Sequence, residues 1–78
     1  MLQEMTPAQC RAARALLDLT QPKLAAAARL GLSTVVDFER ARRTVSEEAT
    51  RALRAALEAA GVEFTNGDGP GVRLRRAP

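Results

Sequence analysis

Two helix-forming stretches separated by only three residues restrict this chain to a small set of folds. The first reads Thr20-Gln21-Pro22-Lys23-Leu24-Ala25 and continues to about Ala28. Thr20 can cap it, and Pro22 falls in the first turn, where a missing N–H costs little. Leu24, Ala25 and Ala28 would face inward. Arg29-Leu30-Gly31 then makes a tight connection, and a second helix is expected from about Leu32 to Ala41, with Val35, Phe38 and Val36 as its apolar positions. Two short helices joined this closely have helix-turn-helix geometry.

Further helices flank the pair. Thr6-Pro7-Ala8-Gln9 carries a hydroxyl cap, a proline at the first helical position and a glutamine where a capping box needs one. This helix is expected to run to about Leu17 with Ala12, Ala13, Leu16 and Leu17 as its stripe, and Asp18 takes the chain out of it. Thr44-Val45-Ser46-Glu47-Glu48 starts a fourth helix, from about Glu47 to Ala60, with Ala49, Leu53, Ala56, Leu57 and Ala60 at helical spacing before Gly61 stops it. The period then changes. Val62-Glu63-Phe64-Thr65 and Val72-Arg73-Leu74-Arg75 alternate as strands do, around the turn cluster Asn66-Gly67-Asp68-Gly69-Pro70-Gly71. The expected fold is therefore mainly α, a four-helix helix-turn-helix domain over 1–61 with a C-terminal β-hairpin over 62–78. An isolated hairpin is marginal in water. Val62, Phe64, Val72 and Leu74 would form an apolar face buried against the fourth helix or between protomers, which makes the hairpin a candidate dimerisation element.

Composition narrows the function. At 78 residues with two Phe and no Trp or Tyr, the chain has a small core, and oligomerisation is a common remedy. The net charge of +3 is too modest to point to nucleic acid unless the arginines gather on one face. An Arg- and Ala-rich composition is equally what a GC-rich genome produces. Cys10 is the single cysteine, so no internal disulfide can form. Gln3, Glu4 and Thr6-Pro7 interrupt any leader-like apolar run, and no stretch is long enough for a membrane span, so a soluble cytoplasmic protein is expected. Enzyme chemistry finds little support. There is no His, Cys10 lacks a partner in the sequence, and Glu47-Glu48 are explained as helix-start acids. No Cys/His cluster suggests zinc, and Gly67 to Gly71 is a turn rather than a phosphate loop. Catalytic, metal and cofactor sites are not expected.

Thr20-Gln21, Leu24-Ala25, Ser33-Thr34-Val35 and Phe38-Glu39-Arg40-Ala41-Arg42-Arg43 together resemble the lambda-repressor-like, xenobiotic-response-element class of helix-turn-helix regulators, over about Ala8 to Gly61. The resemblance implies a sequence-specific double-stranded DNA-binding regulator, a repressor on a two-fold operator. In that arrangement the first helix of the pair crosses the DNA backbone and the second enters the major groove. It implies a structural ion pair between Arg14 and Glu39, each of which lies beside its helix's apolar stripe. Gln21 matches the phosphate-binding position at the start of the second helix, where free N–H groups favour anions, and Thr34, Arg42 and Arg43 are placed to meet phosphate. For Gln21 a purely solvating role, and for the arginines a solvated face, are the alternatives. Leu32, Ser33 and Asp37 match base-facing positions, with Val36 beside them. Leu32 or Val36 could touch a thymine methyl, Ser33 could pair with several bases, and Asp37 could accept from cytosine N4. Asp37 would also repel phosphates, so either specificity leans on DNA shape or Asp37 bonds a nearby arginine. The family often has glycine where Asp18, Arg29 and Ala41 stand here. The expected partners are duplex DNA and a second copy of the chain. The antitoxin of a toxin–antitoxin pair, with a toxin partner, and a protein-interaction module that has lost DNA binding are the alternative readings.

Overall fold

The computed structural model describes residues 5–75; the outermost parts of the two expected segments, 1–4 and 76–78, lie outside the described residues. Four helices, α1 (Pro7–Leu17), α2 (Gln21–Ala28), α3 (Leu32–Glu39) and α4 (Glu47–Ala59), precede an antiparallel hairpin of β1 (Val62–Thr65) and β2 (Gly71–Leu74). Local chemistry sets the helix starts. Thr6 and Gln9 form a reciprocal capping box, the Gln9 N–H donating to Thr6 Oγ1 at 3.0 Å and the Thr6 N–H to Gln9 Oε1 at 2.9 Å. The hydroxyls of Thr20 and Ser46 accept from the N–H groups of Lys23 and Ala49. Gly31, at the start of α3, offers no side-chain cap.

The first three helices end in one way. Asp18, Arg29 and Ala41 are left-handed, with φ of 53°, 58° and 53°. At each end the next residue's N–H reaches back to a carbonyl five positions earlier: Leu19 to Arg14, Leu30 to Ala25 and Arg42 to Asp37. These are Schellman closures, which glycine usually supplies. A side chain there costs roughly 1–2 kcal/mol. The repeated bonding and the packing of Leu19 and Leu30 against the core offset it. Ala41 also corrects the expected extent of α3, which stops at Glu39 because the chain turns left-handed two residues later.

Cys10, Ala13, Leu24, Ala25, Val35, Phe38, Leu53, Leu57 and Val62 form the core with Met5. The stripe expected on α1 is corrected. Cys10 and Ala13 are buried with Leu17 beside them, one turn apart along the helix, whereas Ala12 is exposed and Leu16 is 42% exposed. On α4, Ala60 is likewise exposed, since the helix ends before it.

The hairpin is tied to the helices of its own chain. Buried Gln9 donates from Nε2 to the carbonyls of Thr65 (3.3 Å) and Gly71 (3.0 Å), joining the start of α1 to the turn end of both strands. At the other end the Arg75 N–H donates to the Gly61 carbonyl at 2.7 Å, and its guanidinium to the Glu58 carbonyl. Val62 is buried, Phe64 and Val72 pack on the core, and Arg54 lies over the Phe64 ring at 5.0 Å. Of the expected apolar face, Leu74 alone stays largely open, at 48%. Among the described residues, no helix is long and apolar enough to cross a membrane.

Candidate nucleic-acid interface

Glu39 organises the site from below. Its side chain is almost completely buried at the end of α3, where a carboxylate without partners would be severely destabilising. Arg14 on α1 grips it side-on, Nε to Oε2 and Nη2 to Oε1, both at 2.7 Å. Gln21 at the start of α2 donates to Oε1 at 2.9 Å, and the Cys10 thiol donates to Oε2 at 3.1 Å. Arg14 also donates to the Leu19 carbonyl, and Arg11 to the Glu39 carbonyl. One carboxylate therefore locks α1, α2 and α3 together. Burial by itself would push the Glu39 carboxyl up. The hydrogen bonds from Arg14, Cys10 and Gln21, with the Arg14 charge, outweigh it and hold the carboxyl below the usual range. Burial, and then the Glu39 carboxylate, push the Cys10 thiol far above its ordinary value, so it stays protonated as a donor.

The structure thus brings Arg14 and Glu39 into the pair that the resemblance implied. It adds two partners that the sequence reading missed. Cys10 lies one helical turn before Arg14, and that i, i+4 spacing was the available signal. Gln21, assigned to a DNA phosphate, spends one amide N–H on Glu39 instead of standing free. A cleft above this network is lined by Arg11, Thr20, Pro22 and Arg40, so positive charge surrounds the start of α2.

The upper surface belongs to α3. Leu32 is 46% exposed and Ser33 is exposed, at the helix's N-terminal end, while Thr34 and Val36 are half-buried. Asp37 accepts from Arg43 Nε at 2.8 Å. Of the two alternatives for Asp37, the bond to a nearby arginine is the one present, and Arg43 is correspondingly not a free cation. Arg40 and Arg42 are exposed and form no ion pair with any described residue, and the same holds for Lys23 and Arg29 on α2 and its turn. Among the described residues, no group of three or more His, Cys, Asp or Glu stands together as a metal site would.

No family model and no curated protein matches the chain.

Proposed function

We propose that this chain is a sequence-specific double-stranded DNA-binding regulator that represses transcription from a two-fold operator as a homodimer. The observation that carries the reading is the exposed N-terminal end of α3, with Leu32 and Ser33 outward, on a helix braced by the Glu39 network and followed by exposed Arg40 and Arg42, which form no ion pair with any described residue. A groove-reading helix needs its first-turn side chains free, cations on either side for the phosphates, and a rigid base. The hairpin serves the dimer through the exposed Leu74 end, and two copies would read half-sites about 34 Å apart.

A mobility-shift titration in salt tests this reading. Affinity for the best duplex should fall steeply with salt, and Arg42→Ala should weaken binding to all sequences alike and shallow the log–log slope by about one. Salt-independent binding, or no binding to any duplex, would remove the DNA reading and favour a protein-interaction role. Sedimentation should show a dimer; a monomer at all concentrations would remove the two-fold operator.

A further inference from the structure

We infer that Asp37 and Arg43 act as one base-reading unit that selects cytosine, Asp37 making the contact and Arg43 positioning it. The inference rests on the duplex-DNA reading above and assigns a specificity to it.

The pair is built by the backbone. α3 ends at Glu39, Ala41 turns left-handed at φ 53°, and the Arg42 N–H closes back onto the Asp37 carbonyl at 3.0 Å. That closure returns the chain toward α3, where Arg43 donates from Nε to Asp37 Oδ2 at 2.8 Å. Asp37 Oδ1 receives no hydrogen bond from any described residue, and the Asp37 side chain as a whole is 22% exposed. Asp37 lies one turn beyond exposed Ser33, on the same side of α3.

A bare carboxylate is repelled by phosphates, so an acid on a groove-facing helix needs a cation to cancel its charge. Arg43 supplies that charge and holds the carboxylate still, leaving one oxygen as a pure acceptor. Guanine offers acceptors at N7 and O6 in the major groove, and thymine offers one at O4. Adenine sets its N7 acceptor beside its amine. Cytosine alone presents a donor, N4–H₂, with no acceptor adjacent to it on the same base. An acceptor-only group therefore prefers cytosine. Arg42, which forms no ion pair with any described residue, keeps the phosphate role, and Arg43 leaves it.

The test is selection from random duplex DNA with the full chain, followed by competition binding. The wild type should select a cytosine at one position of each half-site, and replacing that base should cost about tenfold or more. Asp37→Ala and Arg43→Ala should abolish the preference there while leaving the other positions as they were. Asp37→Asn should move the preference to adenine, because an amide pairs bidentately with N6 and N7. The inference is overturned if the Asp37 variants bind every sequence more tightly with the selected site unchanged, which would make the carboxylate only a mask over Arg43. It is equally overturned if no cytosine is selected. Wild-type protein that binds no duplex would sink the functional reading itself, a separate failure visible before any variant is made.

Discussion

Glu39 and Asp37 stand two residues apart on α3, each holding an arginine at 2.7 or 2.8 Å, yet they lie in opposite surroundings. Two positions on a helix are rotated by roughly 200°, so one carboxylate points into the junction of three helices and the other out toward the exposed side of α3 that carries Ser33. The buried acid has lost its water and takes hydrogen bonds from Arg14, Gln21 and Cys10 in place of it. Among the described residues the outer acid has a single side-chain partner, itself 52% exposed, and one oxygen without a hydrogen bond. Similar ion pairs on paper thus sit differently: one ties three helices together, and the other stays in reach of solvent. Burial decides which.

That contrast can be broken at its stronger end first. Arg14→Ala leaves Glu39 charged and buried without its main partner, and should cost about 3–5 kcal/mol. In a domain this small such a loss takes most of the stability, read as collapse of the urea midpoint. Replacing both partners, Arg14→Met with Glu39→Leu, should recover most of it, since apolar groups of similar volume do not leave a charge stranded. A single-variant loss below about 1 kcal/mol would put Glu39 in the same class as Asp37.

The next effect is in pH. Glu39 is held below its ordinary 4.5, so the folded state binds fewer protons there than the unfolded state. Its contribution is complete above about 4.5 and drains away as pH falls through the depressed folded value. The Cys10 thiol has the opposite sign: its pKa is raised above the ordinary 9.0, so its contribution is complete below 9.0 and is lost as pH rises beyond it. Urea midpoints across pH should form a plateau between these limits, and the Arg14→Met/Glu39→Leu protein should lose the acid-side fall. An unchanged acid limb in that protein would show that other carboxylates control it.

The smallest effect is expected at the outer pair. Asp37→Ala should change stability by less than about 1 kcal/mol, because solvent and salt screen an exposed ion pair. Its consequence should appear in DNA selectivity instead. A stability loss matching that of Arg14→Ala would end the distinction between the buried pair and the outer one.

The order and starts of the elements were legible in the chain, because a cap is a bargain among neighbours. Thr6 with Gln9, Thr20 with Lys23 and Ser46 with Ala49 each settle a helix start within three positions. Period two against period 3.6 separated the hairpin from the helices for the same local reason. Arg14 and Glu39 were legible through the motif around them. Their further partners were harder to find: the i, i+4 spacing to Arg14 was the one local signal for Cys10, and nothing local says that Gln21, on another helix, will meet the same carboxylate. The α1 stripe was half legible: Ala13 and Leu17 are inside as expected, but several apolar residues compete for that side and only the neighbouring helices choose Cys10 over Ala12 and Leu16. Gln9 reads locally as a cap, and its second task of holding the hairpin turn exists only once that turn arrives. Which arginine meets Asp37 was decided by the left-handed turn at Ala41, which selects Arg43 and leaves Arg42 without an ion pair among the described residues. Sequence alone determined the elements, because their signals act over a few residues. Tertiary structure determined the partners of each charge, because those depend on which faces packing brings together and which it leaves in water.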